Sequence, residues 1–302
     1  MAREACHSPS LYLRGMTSHR GSCLCGEVAY EIDGPFEHAS HCHCCYCRKF
    51  HGTPYATYAM APLAGRRWLR GERGIARYES SPGFHRCFCA RCGSPVPGDP
   101  FEQWTFIPLG NLDGDPGVRP AYHMFAASKA PWWEIRDGLP VYDAFAPGID
   151  APIAADRPLR DPPGTPRGSC LCGAVGFRIE GTPILARSCH CGRCRKGRGA
   201  AHATNMLVPI DALRFTRGEG ELAEYKVPEA KFFTQTFCRI CGSKAPRIAR
   251  DRGFAIVPLG SLDDDPGIRT SEHIWVGSKA PWHEITDDLP RYDEGPPPTP
   301  VR

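Results

Sequence analysis

The sequence predicts a mainly β protein built from two tandem copies of one small module. Three observations carry that expectation: a set of motifs occurs twice in the same order, short alternating stretches dominate each copy, and 17 of the 302 residues are cysteine. GSCLCG occupies 21–26 and again 168–173, and CHCCYCRK at 42–49 returns as CHCGRCRK at 189–196. FCARCGS at 88–94 returns as FCRICGS at 237–243, and PLGNLDGDPGVR at 108–119 as PLGSLDDDPGIR at 258–269. SKAPWWEIRDGLPVYD at 128–143 returns as SKAPWHEITDDLPRYD at 278–293. The offset is 147 residues at Cys23/Cys170, 149 at Cys89/Cys238 and 150 at Pro108/Pro258, so about three inserted residues separate the copies. Insertions of that size belong in loops.

In chain order, the repeat predicts an extension over 1–17, a first module over 18–145, a linker over 146–166, a second module over 167–295 and a tail over 296–302. The linker, APGIDAPIAADRPLRDPPGTP, is Pro-rich without strand or helix periodicity and reads as semi-extended. Strands are expected at 28–32, 67–69, 75–78 and 105–109 in the first module. In the second they are expected at 175–179, 213–215, 222–225, 232–237 and 254–259. These stretches are rich in β-branched and aromatic residues and bounded by Gly, Pro and Asp. One or two helical turns are expected to follow each CxCxxC cluster. Each module should therefore be mostly antiparallel β, with turn-rich loops presenting the cysteines. Trp132 and Trp282 are expected to pack a terminal strand against the core.

Composition narrows the function classes. An apolar fraction of 41% and a charged fraction of 23% are those of an ordinary globular chain. A net charge of +4 with interspersed signs gives no footprint for nucleic acid and no polybasic block for a membrane. No apolar run is long enough to span a bilayer, and residues 1–20 lack the apolar run of a signal peptide. A cytoplasmic, reducing setting is expected, where thiols persist and metal ligation is a better reading of many cysteines than disulfides.

Each copy carries two constellations. Cys23 and Cys25 with Cys89 and Cys92, and Cys170 and Cys172 with Cys238 and Cys241, pair a CxC with a distant CxxC. Structural zinc is held tetrahedrally by four such thiolates. The Gly after each pair (Gly26, Gly93, Gly173, Gly242) suits the tight turn that aims amides at sulfur. The second set is CxCxxC: Cys42, Cys44 and Cys47, then Cys189, Cys191 and Cys194. Three thiolates leave zinc one ligand short, and an open position is the mark of a reactive site.

One copy tests the other for a fourth ligand. His41 and Cys45 face Ser188 and Gly192, so neither is shared; Cys6 and Cys87 likewise have no partner cysteine. His43 and His190 are shared, but each is wedged between two ligands and is expected to support the site rather than ligate. His123/His273 or Asp113/Asp263 remain open as distant closing ligands. Zinc with three thiolates carries a formal charge of about −1, which Arg48–Lys49 and Arg195–Lys196 would offset unless they lie solvated on the surface. A soft thiolate suits the vacant position.

In this order, GSCLCG, CHCxxCRK, FCxxCGS, PLGxLDxDPG and SKAPW resemble the glutathione-dependent formaldehyde-activating family, which includes the centromere protein V type of domain. The resemblance covers 21–143 and 168–293. It implies small coiled antiparallel sheets with zinc-knuckle hairpins. It implies that Cys23, Cys25, Cys89, Cys92, Cys170, Cys172, Cys238 and Cys241 hold structural zinc. By the same resemblance, Cys42, Cys44, Cys47, Cys189, Cys191 and Cys194 form labile sites, up to four zinc ions per chain in all. The implied reaction is condensation of formaldehyde with glutathione into S-(hydroxymethyl)glutathione, a carbon–sulfur lyase reaction in reverse, with a small thiol and aldehyde as partners. The alternative is a non-catalytic, zinc-stabilised tandem module that binds a protein. FHGTPYATY at 50–58 faces GRGAAHATN at 197–205, so the two sites should differ in selectivity or one should be inactive.

Overall fold

A computed structural model describes residues 17–149, 151–154 and 164–296. Cys6, most of the expected N-terminal extension, the middle of the linker and most of the tail lie outside the described residues. In the first copy the strands are β1 (Ser18–Ser22), β2 (Ala29–Asp33), β3 (His38–Cys42), β4 (Ala56–Pro62), β5 (Arg66–Arg70), β6 (Ile75–Ser81), β7 (Phe84–Cys89), β8 (Trp104–Pro108) and β9 (Pro120–Met124). Helix α1 (Cys45–His51) lies between β3 and β4. In the second copy they are β10 (Arg167–Ser169), β11 (Gly176–Ile179), β12 (Leu185–Cys189), β13 (Ala203–Pro209), β14 (Leu213–Arg217), β15 (Leu222–Lys226), β16 (Thr234–Cys238), β17 (Arg247–Ala249), β18 (Phe254–Pro258) and β19 (His273–Ile274). Helix α2 (Gly192–Arg198) follows β12. Among the described residues no helix is long and apolar enough to cross a membrane.

Each copy has the same three sheets. One is three-stranded, β1-β2-β5 and β10-β11-β14; one is the hairpin β6-β7 and β15-β16. The third is β8-β4-β3-β9 in the first copy and β17-β18-β13-β12-β19 in the second. Most pairings are antiparallel, as alternation predicts, but β3 with β9 and β12 with β19 run parallel. That parallel pair places Cys42 beside Met124 and His41 beside His123, joining the CxCxxC loop to the C-terminal third of its copy. Each helix begins inside its cluster rather than after it, because Cys44 and Cys191 cap α1 and α2 by accepting from the amides of Cys47 and Cys194.

The expectation for the tryptophans needs correction. Trp132 packs in the core of the second copy, among Phe177, Ile179, Met206, Val208 and Leu262. Trp282 packs in the core of the first, among Tyr30, Ile32, Ile107, Leu109 and Leu112. The SKAPW segments are therefore exchanged between the copies, and neither Trp packs a terminal strand of its own.

A matched pair of helix dockings also joins the copies. Lys49 on α1 donates to Ser169 O and Oγ at 2.8 and 2.9 Å and pairs with Asp263 at 2.5 Å, both side chains buried. Lys196 on α2 meets Ser22 Oγ at 2.5 Å and Asp113 at 2.5 Å. Gly260 and Gly110 let the backbones touch: a Cβ on Gly260 would sit 2.3 Å from Thr53 N, and one on Gly110 2.1 Å from Ala200 N. Phe88 and Phe237 meet edge to face, with ring centres 6.3 Å apart, so the cysteine hairpins of the two copies lie back to back.

Candidate metal centres and the cavity between the copies

The CxC loops follow β1 and β10, and the CxxC turns follow β7 and β16, which brings four sulfurs together in each copy. Cys23, Cys25, Cys89 and Cys92 have all Sγ atoms within 4.8 Å of one another, as do Cys170, Cys172, Cys238 and Cys241. The knuckle glycines adopt positive φ, 71° at Gly93 and 73° at Gly242, and their amides close the turns onto Cys89 O and Cys238 O. Backbone amides point at sulfur as well: Val28 N lies 3.3 Å from Cys23 Sγ, and Val175 N 3.2 Å from Cys170 Sγ. Hydrogen bonds from Cys23, Cys25 and Cys89 hold the Cys92 thiol well below its ordinary range. Four clustered sulfurs, two in each group predisposed to ionise and a third receiving an amide donor, are a donor set that fits tetrahedral zinc.

The three-cysteine clusters sit where β3 and β12 run into the helices. Cys42, Cys44 and Cys47, and Cys189, Cys191 and Cys194, each bring three Sγ atoms within 4.8 Å, and among the described residues no further His, Cys, Asp or Glu joins either group. Asp113 and Asp263 are engaged by Lys196 and Lys49 at the contact between copies. Arg48 is also turned there, with Nη1 donating to Leu262 O at 3.2 Å. Arg48 and Lys49 thus hold the copies together, and both are buried and not solvated on the surface. Arg195 is half-buried; burial lowers its pKa, against the pull of nearby Cys191.

The cation that does touch the first cluster is Arg86 on β7, whose Nη1 donates to Cys47 Sγ at 3.4 Å. Hydrogen bonds from Cys42 and Cys44, aided by Arg86, hold the Cys47 thiol well below its ordinary range. In the second copy Gln235 stands in Arg86's place and donates to Cys92 O at 2.6 Å. The guanidinium there is Arg198, at the end of α2 where the first copy has His51. Burial lowers its pKa to about 10, while Cys194 and Cys189 pull the other way. The Cys191 thiol is lowered to about 3 by hydrogen bonds from Cys189 and Cys194. Neither arginine recurs between the copies, so a search for shared residues passes over both.

Behind each cluster runs a chain of side chains. His43 Nε2 lies 2.8 Å from His123 Nδ1, and His123 Nε2 lies 2.9 Å from Asp137. His190, His273 and Asp287 repeat it at 2.9 and 3.0 Å. An ionised carboxylate only accepts, so His123 carries its proton on Nε2, its Nδ1 accepts, and His43 donates from Nε2. That leaves His43 Nδ1, and equally His190 Nδ1, as a buried acceptor without a partner. Burial keeps His43 neutral, lowering its pKa to about 3.

His123 and Asp137 also line a cavity of about 390 Å³ between the copies. The exchanged segments wall it with Trp132, Trp133, Trp282 and His283, while His41 reaches it from β3 and Tyr55 and His202 from the loops before β4 and β13. Burial pushes His41 and His283 well down and His202 to about 3, so these imidazoles are neutral.

Compared with known proteins, residues 18–128 and again 165–278 match the family described as glutathione-dependent formaldehyde-activating enzyme. No curated protein matches the chain. A solved Rhodobacter sphaeroides protein is 22% identical over 41% of this chain and 98% of its own, with a TM-score of 0.29 that carries no argument about the fold.

Proposed function

The chain belongs to the glutathione-dependent formaldehyde-activating enzyme family, as two tandem copies, and from that membership we propose a zinc-dependent carbon–sulfur lyase-type enzyme. Its substrate would be a thiol adduct of formaldehyde or a related small aldehyde, with glutathione as the thiol. The observation that supports the reading most is the meeting, in each copy, of three sulfurs with a nearby guanidinium and no fourth ligand within 4.8 Å among the described residues.

The four-cysteine groups would hold structural zinc, so that metal binding adds directly to folding free energy. Zinc held by Cys42, Cys44 and Cys47, or by Cys189, Cys191 and Cys194, would supply a soft Lewis-acid centre that keeps a thiolate ionised at neutral pH and polarises a carbonyl. Arg86 and Arg198 offset the negative charge of three thiolates and attract a thiol that carries carboxylates. The buried Nδ1 of His43 has no partner and would hydrogen-bond a substrate hydroxyl at the loop while the ring stays neutral. His123 and Asp137 hold that ring in place through its other nitrogen. Such an adduct forms readily without help, so the main gain lies in holding both reactants together. Among the described residues no disulfide joins the sixteen cysteines, which leaves the clustered sulfurs available to zinc; a cytoplasmic setting is part of the proposal.

The test is adduct formation from formaldehyde and glutathione by fully metallated protein, with zinc counted before and after a mild chelator. Cys44→Ser and Cys191→Ser should each remove one labile zinc and part of the rate. The double variant should remove all acceleration while keeping the four-cysteine zinc and the fold. No acceleration with any small thiol, or zinc equally resistant to chelation at every site, would sink the reading and favour a protein-binding module.

A further inference from the structure

We propose that His41, His123 and Asp137 form a metal site of a different kind, for a borderline divalent ion such as zinc or iron(II), present in the first copy alone and open to the cavity between the copies. The three ligand atoms lie within 4.8 Å of one another. The two imidazole centres are 4.8 Å apart, with planes tilted by 30°. Imidazoles that share an ion at about 2.1 Å, near a right angle, have centres roughly 5 Å apart. Two imidazoles and one carboxylate leave coordination positions free and suit these ions rather than calcium or magnesium.

Each ligand is already oriented through its other atom, as functional metal ligands are. His41 Nδ1 is held by Thr57 Oγ1 at 2.9 Å, which leaves Nε2 for the cavity that His41 lines. His123 Nδ1 is held by His43, and Asp137 Oδ1 accepts from Leu139 N at 3.2 Å. The histidine–aspartate pair alone does not make the case, since His273 and Asp287 reproduce it. What the first copy adds is the third ligand. At the matching position of the second copy stands Ser188, its Oγ buried without a partner. Thr204, the counterpart of Thr57, there holds His202 Nδ1 instead, at 3.0 Å.

An ion on His123 Nε2 would displace the proton from that atom and reverse the direction of the chain. His123 would then donate from Nδ1 to His43 Nε2, and the His43 proton would move to Nδ1, with the number of protons unchanged. The first cysteine loop would then face a donor where the second faces an acceptor. The two copies would differ in chemistry as well as in selectivity.

The experiment uses the full chain with its cysteine sites saturated with zinc, titrated with cobalt(II). Wild type should take up one further equivalent, with weak visible bands and no sulfur-to-cobalt charge transfer in the near ultraviolet. His41→Ser, which places the second copy's own residue there, should lose that equivalent. So should Asp137→Asn, with apparent affinity falling beyond the 10–100-fold typical of supporting residues. Asp137 lies at the cavity rim, so its variant decides the matter should His41→Ser fail to fold. No further equivalent in wild type, a thiolate charge-transfer band, or full retention in a folded variant would each overturn the proposal.

Discussion

His202 enters the folded chain as a neutral imidazole, its pKa pushed down to about 3 by burial among other histidines. His283 beside it is pushed well down for the same reason, and their ring centres are 5.4 Å apart. The folded pKa lies below the unfolded value of about 6.5, so the stability each contributes is complete above that value. It is lost as pH falls, because the unfolded chain takes up a proton that the folded chain refuses, at about 1.4 kcal/mol per pH unit for each histidine. Urea midpoints measured from pH 7.5 down to pH 5 should therefore fall, although no carboxylate titrates in that range with an ordinary pKa. His202→Tyr, which restores the first copy's Tyr55 at the equivalent place, should flatten that fall by about one proton. An unchanged slope in this variant would show that His202 is not buried neutral in solution.

Helices α1 and α2 have seven residues each, too few to be stable alone. A cysteine cap starts each one, and a left-handed glycine, Gly52 or Gly199, ends it. Each then docks on the other copy through a glycine that admits its backbone. Gly260→Ala should cost about 1–3 kcal/mol, since the neighbour to be displaced is backbone and not a flexible side chain. Gly220→Ala, with nothing within 4 Å, should cost far less, and equal losses in denaturant midpoint would mean that α1 does not dock as described. The predicted strands fall within a residue or two of the observed ones because their alternation is local, except that β6 runs three residues past the expected end, to Ser81. Strands β3 and β4, with sequences HASHC and ATYAMAP, were not expected, since small and polar residues on buried faces leave no alternation to read. The parallel partner β9 depends on a pairing about 80 residues distant, which no local pattern encodes.

At the scale of the whole molecule, the cysteine clusters were legible because their spacing is short and repeated, whereas the cavity was not, because exchange of the SKAPW segments builds it. Trp132 comes from the first copy and is buried in the second; Trp282 does the reverse. Removing either side chain leaves a void in a core to which the mutated copy contributes little else. Trp132→Ala should cost about 3–5 kcal/mol, as large-to-small changes at buried tryptophans do. The location of the loss is the stronger test. Hydrogen exchange should accelerate most across β11, β13 and β14 and the turn at Leu262, in the second copy, while β2 and β5 of the first stay protected. Trp282→Ala should give the mirror image, with β2, β4 and the turn at Leu112 losing protection. Were each substitution to loosen mainly the copy that carries it, the segments would not be exchanged in solution. The cavity would then lose the walls that bring His283 from one copy towards His41 of the other.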